Sequence, residues 1–190
     1  MNSAAYETRR GKIEEYFDRT AVKAWEQLTS TAPVGRIRAT VRAGRERMRA
    51  QLMDWLPQDL HGVRILDAGC GLGDGLRELR REYPGADLHG LEWSWPLRLL
   101  CAWRCRFARI RRGDMWAADW SGCDMVYVFQ RPESMDRAAE KATRELRPGA
   151  WLVSLEFAAP GFAATRAIEC ADGRRLWLYG VPLLARPAVG

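Results

Sequence analysis

The stretch VRILDAGCGLGDG, residues 63–75, constrains the fold more than any other part of the sequence. Its apolar start predicts a short buried strand, and its end predicts a glycine-rich turn leading into a helix that carries Leu76 and Leu79. Because glycine has no side chain, backbone N–H groups in such a turn can approach a ligand at the start of the helix. The spacing is GxGxG, and Asp74 stands where a GxGxxG dinucleotide fingerprint has its third glycine. The turn therefore predicts a ligand site of a type that differs from the common dinucleotide site.

Downstream of this turn, strand patterns and helix patterns alternate. Further strand patterns are ADLHGLE, ARIRRGD, CDMVYVF and AWLVSLEF, and helix patterns are WPLRLLCAWRCRF and residues 134–146. Such alternation predicts an α/β fold with a mostly parallel, Rossmann-like sheet and right-handed crossovers. TRAIEC and RLWLYG, joined by the turn ADGR, predict an antiparallel C-terminal hairpin.

The first 60 residues have a different pattern. Two amphipathic helices are predicted there, the first with an apolar stripe from Ile13 to Leu28 and the second with one from Ile37 to Trp55. Pro33 and Pro57 end them. We therefore expect a helical arm or cap at residues 1–60 and an α/β domain at residues 61–190.

Three acidic residues stand at or just beyond the ends of successive predicted strands. Asp67 precedes the first glycine of the turn, Glu92 ends the second strand and Asp114 follows the third. The carboxyl ends of parallel strands form the ligand crevice of an open α/β sheet, so we expect these carboxylates to lie near one another. Asp67 suits a cationic ammonium, Glu92 suits ribose hydroxyls and Asp114 suits an amino group. Trp93 and Met115, which follow two of these acids, are placed to sandwich a planar ring.

The glycine turn and the three acids together resemble the class I S-adenosylmethionine-dependent methyltransferases, over roughly residues 61 to 157. In that family the first acid and the glycines hold the methionine portion of the cofactor, the second acid holds the ribose and the third the adenine. The resemblance implies an enzyme with S-adenosyl-L-methionine as its cofactor. The cofactor-binding residues that it implies are Asp67, Gly69, Cys70, Gly71, Gly73, Glu92, Trp93, Asp114, Met115 and Phe129.

Residues 6–73 resemble a narrower family, the magnesium-protoporphyrin IX O-methyltransferases of chlorophyll biosynthesis. The segments concerned are YFDRTAVKAWEQLTS, APVGRIRATVRAGRERMR and WLPQDLHGVRILDAGCG. The resemblance implies O-methylation of a porphyrin propionate in bacteriochlorophyll biosynthesis, with Tyr16 near the reacting carboxylate. Arg36 and Arg38 are candidates to pair with the porphyrin carboxylates, since guanidinium groups match carboxylate geometry. A solvated basic helix face explains these arginines equally well.

The second half departs from the porphyrin family. After the fourth strand the sequence reads Phe129-Gln130-Arg131-Pro132, without the histidine of that family, and only AAPGFAA follows the fifth strand before the hairpin. Gln130 is then the candidate catalytic residue of this segment, and Arg131 a candidate contact of the acceptor. The alternatives are a small class I methyltransferase with another acceptor, and a catalytically inactive nucleic-acid-binding or scaffold protein on the same fold.

The net charge and the cysteine content restrict which binding partners and which cellular compartment can be expected. The net charge is +6, but only Lys12, Lys23 and Lys141 among the 30 basic residues are lysines, a bias typical of GC-rich genomes. A solvated basic surface is thus the favoured interpretation and nucleic-acid binding is not, although the arginines from Arg98 to Arg112 suit phosphates or anionic lipid. Five scattered cysteines without a CxxC pair predict a reducing compartment and no metal site.

The start of the sequence, MNSAAYETRRGK, lacks the apolar core of a signal peptide, and no uncharged apolar run approaches the length of a membrane span. We therefore expect a cytoplasmic protein acting on a small-molecule acceptor. Peripheral contact with the inner membrane or with a magnesium chelatase is left open, as is the oligomeric state.

Overall fold

The computed structural model describes residues 56, 59–169 and 175–185. The predicted arm, with Tyr16, Arg36 and Arg38, and the hairpin turn ADGR lie outside the described residues. The boundary near residue 60 and the roles of those three side chains therefore stay predictions.

The described residues form helices and strands in the predicted alternating order. The helices are α1 (Asp74–Glu82), α2 (Trp95–Arg104) and α3 (Pro132–Glu145). The strands are β1 (Arg64–Ala68), β2 (Asp87–Glu92), β3 (Arg109–Arg112), β4 (Met125–Val128), β5 (Trp151–Leu155), β6 (Phe162–Ala163), β7 (Arg166–Glu169), β8 (Arg175–Gly180) and β9 (Leu184–Ala185). None of the helices in these ranges has the length and hydrophobicity that a membrane crossing requires.

The main sheet among the described residues has the strand order β3-β2-β1-β4-β5-β8-β7. Strands β1 to β5 pair in parallel, whereas β8 is antiparallel to both β5 and β7. The predicted mostly parallel sheet with an antiparallel C-terminal hairpin is therefore confirmed. The strand order reverses between β1 and β4, and ligands of open α/β sheets bind at such a reversal, outside the carboxyl ends of the strands.

Helices cover both faces of the sheet, which explains the continuous apolar runs of the central strands. Successive residues of a strand point to opposite faces, so Ile65 packs under α1 and α2 whereas Leu66 packs in the core that includes α3. Both are almost fully buried. The two cores hold the sheet rigid, and the carboxyl ends of its strands provide fixed positions for a site.

Three local features differ from the predictions. Helix α2 ends at Arg104, because Cys105 leaves helical geometry, so the last residues of WPLRLLCAWRCRF form a turn. Helix α3 begins at Pro132, two residues earlier than predicted, since proline suits the first turn of a helix. Strands β6 and β9, which pair with each other, were not predicted. A strand of two residues is too short to show an alternation of apolar and polar residues in the sequence.

Candidate functional site

Strand register brings the three predicted acids to one edge of the sheet. Asp67 pairs with Gly90 of β2, and Glu92 pairs with Arg112 of β3, two residues before Asp114. The backbone N–H of Gly113 also donates to the carbonyl of Glu92 at 3.2 Å, which fixes the start of the loop that carries Asp114. The carboxyl ends of β1, β2 and β3 thus present one acid each.

The glycine turn is held against the end of β2 by its backbone. The N–H groups of Gly69 and Cys70 donate to the carbonyl of Leu91 at 2.8 and 3.1 Å. Gly69, Gly71 and Gly73 have φ values of 103°, 52° and 80°, a region that other residues rarely adopt. A Cβ atom added to Gly69 or Gly71 would meet no atom within 4 Å. The turn therefore leaves open space beside its backbone, into which a cofactor can approach closely.

The carboxylate of Glu92 connects the glycine turn to the start of α2. Its Oε2 accepts the N–H of Gly71 at 2.9 Å, and its Oε1 accepts the N–H of Ser94 at 2.8 Å. Ser94 in turn caps α2 by accepting the N–H of Leu97. One side chain thus positions the turn and the β2–α2 loop on either side of the predicted ribose site.

Asp67 is 6% exposed and its side chain approaches the first turn of α1. A Cβ atom added to Gly75 would lie 3.1 Å from Oδ2 of Asp67, so the missing side chain of Gly75 leaves room for this carboxylate. The positive end of the helix dipole favours an anion there. Gly75 is not among the predicted site residues, although a glycine inside a helix costs stability and is therefore a signal in the sequence.

The loop after β3 is shaped by Asp114. Its Oδ1 accepts the N–H of Trp116 at 2.9 Å, while Met115 is 8% exposed. After β2, the guanidinium of Arg112 lies 4.9 Å from the ring of Trp93 and donates to the Trp93 carbonyl at 3.1 Å. Trp93 and Met115 follow the ends of neighbouring strands, as the sequence predicted, and their contact with an adenine ring stays a prediction.

An aromatic pair lies at the ends of β4 and β5. The rings of Phe129 and Phe157 stack with their centroids 6.5 Å apart, and Phe129 is 40% exposed. Between β5 and Phe157, Glu156 has a φ of 70°, which is strained for a residue with a side chain. Gln130 and Arg131 follow Phe129 directly, and Arg131 precedes the first residue of α3. Phe157 is not among the predicted site residues, although it follows the end of β5 much as Phe129 follows the end of β4.

The cysteines near the turn pack into the core. The sulfur atoms of Cys70 and Cys101 are 3.6 Å apart, and the Sγ of Cys105 lies 3.5 Å from the carbonyl of Gly73. A hydrogen bond with Cys101 and burial raise the pKa of the Cys105 thiol. The side chain of Cys70 is thus part of the core, so only its backbone is placed at the predicted cofactor site.

Comparison with known proteins gives one family and several related folds. A family model described as the ANTKMT methyltransferase domain matches residues 67–166, more than half of the chain. The magnesium-protoporphyrin O-methyltransferase of Rhodobacter capsulatus is 48% identical over 86 residues, which are 45% of this chain and 38% of that protein. The chain thus matches well under half of the length of that relative.

Two solved structures share the fold at low sequence identity. The magnesium protoporphyrin IX methyltransferase of Synechocystis PCC 6803 with bound SAH has a TM-score of 0.74 at 15% identity, covering 92% of this chain and 98% of that one. An RNA methyltransferase from Salinibacter ruber in complex with S-adenosyl-L-homocysteine has a TM-score of 0.62 at 21% identity, covering 84% and 96%. The predicted class I methyltransferase fold is confirmed by these likenesses.

Proposed function

The chain belongs to the ANTKMT methyltransferase domain family, and we propose that it transfers a methyl group from S-adenosyl-L-methionine to a propionate carboxylate of magnesium protoporphyrin IX. The observation that carries the cofactor half of this proposal is the bare backbone of the glycine turn, which opens onto free space beside the carboxylate of Glu92. The prediction of a methyltransferase is confirmed by the family match.

S-adenosylmethionine supplies an electrophilic methyl carbon on a sulfonium centre. Asp67 and the glycine turn would hold its methionine portion, Glu92 its ribose hydroxyls, and Asp114 its adenine amino group. These residues fit such a group because backbone N–H groups fix the carboxylates of Glu92 and Asp114, and a carboxylate oxygen accepts more than one hydrogen bond. Met115 and Trp93 supply apolar surface for the purine.

The acceptor half of the proposal is supported by the relative from Rhodobacter capsulatus, which is named for this substrate. A propionate with an ordinary carboxyl pKa of about 4 to 5 is ionised at pH 7, so its oxygen needs no general base. The work of the protein is then to orient that oxygen toward the methyl carbon and to exclude water. The stacked Phe129 and Phe157 offer an apolar edge for a planar macrocycle. Tyr16, Arg36 and Arg38 of the arm are proposed to contact its carboxylates.

A different acceptor is the second candidate, and one observation favours it. In the described part of the chain, the connection between β5 and β7, residues 156–165, contains the short strand β6 and no helix. A connection without a helix covers less of a bound substrate than a connection with one. A small acceptor held by Gln130 and Arg131 needs less cover than a porphyrin. The third alternative, an inactive nucleic-acid-binding or scaffold protein, predicts no cofactor binding.

Two titrations of the full chain separate these candidates. Isothermal titration with S-adenosylmethionine tests the cofactor, and absence of both heat and thermal stabilisation would favour the inactive scaffold. The Soret absorption band of magnesium protoporphyrin IX tests the acceptor, and we expect it to shift on binding and its monomethyl ester to form. Cofactor binding without a Soret shift or ester would leave the methyltransferase and remove the porphyrin.

A further inference from the structure

Helix α2 has an apolar stripe on its outer surface. Trp95, Leu99 and Trp103 are spaced by four residues, which places them on one side of the helix, and they are 50%, 46% and 68% exposed. The buried Leu97 and Cys101 hold the opposite side against the sheet. Of the five large hydrophobic side chains that are exposed in the described part of the chain, three lie on this helix.

The segment of sequence that carries this stripe is rich in arginine. Between Trp93 and Gly113 the sequence contains six arginines and no acidic residue. The guanidinium of Arg98 lies 5.3 Å from the ring of Trp95, and that of Arg112 lies 6.0 Å from the same ring. Arg106 follows the helix and is exposed. We call this surface the α2 patch: Trp95, Leu99, Trp103, Arg98, Arg106 and Arg112.

Two of the other arginines in this stretch are used within the fold. Arg104 donates to Asp74 at 2.9 Å, and Arg109 lies 3.5 Å from Asp87. The α2 patch combines exposed aromatic and aliphatic surface with the guanidinium groups of Arg98, Arg106 and Arg112. Tryptophan and arginine are the side chains suited to the boundary between lipid headgroups and acyl chains.

We propose that the α2 patch docks the protein on the surface of an anionic phospholipid bilayer. Trp95, Leu99 and Trp103 would enter the headgroup region, and the surrounding guanidinium groups would pair with lipid phosphates. A single-stranded nucleic acid also offers phosphates and stacking surfaces, but Leu99 at the centre of the stripe has no ring on which a base can stack. The continuous apolar stripe favours lipid over nucleic acid.

Docking by this patch has a consequence for the site. Helix α2 starts at Trp95, directly after the β2–α2 loop in which Ser94 donates its N–H to Glu92. The bilayer surface would therefore lie next to the carboxyl edge of the sheet, where an apolar acceptor dissolved in lipid is accessible. The docking itself does not depend on which acceptor the protein uses.

The test is sedimentation of the full chain with lipid vesicles. We expect binding to vesicles of phosphatidylcholine mixed with phosphatidylglycerol, and little binding to phosphatidylcholine alone. High salt should weaken the binding because the electrostatic part is screened. Leu99→Ala with Trp103→Ala should lower the partition coefficient about tenfold or more, since apolar area no longer enters the bilayer. Arg106→Gln should lower it about fivefold at low salt and have little effect at high salt.

Matched controls lie elsewhere on the described surface. Leu184 is 70% exposed on β9, so Leu184→Ala removes a comparable apolar side chain outside the patch. Arg144 lies on α3, on the opposite face of the sheet, and Arg144→Gln removes one charge there. Both variants should bind vesicles like the parent chain. Circular dichroism and thermal unfolding of all variants check that the fold is kept.

Three results would overturn the proposal. The first is equal binding to neutral and anionic vesicles, which would exclude a role for the guanidinium groups, or binding to neither, which would exclude docking of the patch on lipid. The second is loss of binding in the Leu184 control to the same extent as in the α2 variants. The third is that the parent chain does not bind vesicles but binds a single-stranded RNA or self-associates in sedimentation, and that the α2 variants abolish this binding or association.

Discussion

The carboxylate of Glu92 accepts the backbone N–H of Gly71 at 2.9 Å, so the acid predicted to bind a ribose also fixes the glycine turn. Its other oxygen accepts the N–H of Ser94 at 2.8 Å. A carboxylate oxygen can accept a second hydrogen bond, and the positions of both oxygens are set before any ligand arrives. Glu92 therefore links preorganisation of the turn to recognition of the cofactor.

The first prediction separates these two roles of Glu92. Glu92→Ala removes both acceptors and should weaken binding of S-adenosylmethionine by about 1 to 3 kcal/mol, roughly a 5- to 150-fold rise in Kd. Glu92→Gln keeps one acceptor oxygen and should give a smaller loss. Isothermal titration measures both. An unchanged Kd in the alanine variant would remove the assignment of Glu92 to the ribose.

The second prediction concerns Gly73, at which the turn approaches α2. A Cβ atom there would lie 2.5 Å from the Sγ of Cys105 and 2.8 Å from that of Cys101, in addition to the strain of a φ of 80°. Gly73→Ala should therefore lower the free energy of unfolding by about 2 to 5 kcal/mol, from strain and overpacking together. Urea unfolding measures the change.

Gly149 is the matched control for Gly73. Its φ is 87°, but an added Cβ would meet no atom within 4 Å, so Gly149→Ala introduces the strain without the contact. We expect a loss of about 1 to 2 kcal/mol in that variant. Equal losses of unfolding free energy in the two variants would show that the close approach of the cysteines to Gly73 adds nothing to the cost of the backbone strain.

The third prediction concerns Gly75 and its effect on Asp67. Alanine is about 1 kcal/mol better than glycine inside a helix, so Gly75→Ala should stabilise α1 or leave stability unchanged. Its Cβ would lie 3.1 Å from Oδ2 of Asp67 and displace that carboxylate, so the Kd of S-adenosylmethionine should rise. We expect a rise of about threefold to tenfold, since one charged hydrogen bond is weakened rather than removed.

Gly122 provides the control for this effect. A Cβ atom added there would lie 3.1 Å from Nη1 of Arg64, which is the flexible end of a long side chain. Arg64 is the first residue of β1, so it lies at the end of the strand that is far from the glycine turn. Gly122→Ala should leave the Kd of the cofactor unchanged. If Gly75→Ala leaves it unchanged as well, the position of Asp67 does not set cofactor affinity.

The order of strands and helices could be predicted because local patterns determine it. Ile65, Leu66 and Ala68 are apolar residues of a strand that is buried on both faces, and the glycines that follow Ala68 favour a turn. Once the strands are parallel, Asp67 and Glu92 must lie at the same edge. The positions of these two residues therefore followed from sequence without any knowledge of their contacts.

Other features of the site depend on contacts between distant segments. The role of Gly75 becomes visible only when the direction of the Asp67 side chain is known. The left-handed backbone of Glu156 has no sequence signal, because glutamate rarely adopts it, and the surrounding strands impose it by hydrogen bonding its N–H to the carbonyl of Arg175. The stacking of Phe129 on Phe157 requires that β4 and β5 be neighbours, which the order of strands in the chain does not fix.

The last prediction uses the pH dependence of an ion pair between a buried lysine and a partly buried glutamate on α3. Lys141 is 4% exposed, and its Nζ lies 2.6 Å from both carboxylate oxygens of Glu145, which also accepts the N–H of Trp120. Burial alone would raise the pKa of Glu145, but the hydrogen bonds from Lys141 and Trp120 outweigh it and hold the pKa below its ordinary value of 4.5. The ionised carboxylate therefore stabilises the fold above that pH.

The sign of the pH effect follows from this lowered pKa. Glu145→Gln should lower the free energy of unfolding at pH 7 by roughly 1 to 3 kcal/mol, because the buried side chain of Lys141 loses its carboxylate partner. As the pH falls below the ordinary carboxyl pKa, the parent chain loses the same contribution, so the difference between parent and variant should shrink. Urea unfolding at pH 7 and near pH 4 measures it. Glu145→Leu alone leaves the charge of Lys141 without its partner, whereas Lys141→Met combined with Glu145→Leu removes both members of the pair. The double variant should therefore be more stable than Glu145→Leu. A less stable double variant, or a stability difference between the parent chain and Glu145→Gln that grows in acid, would contradict the assignment.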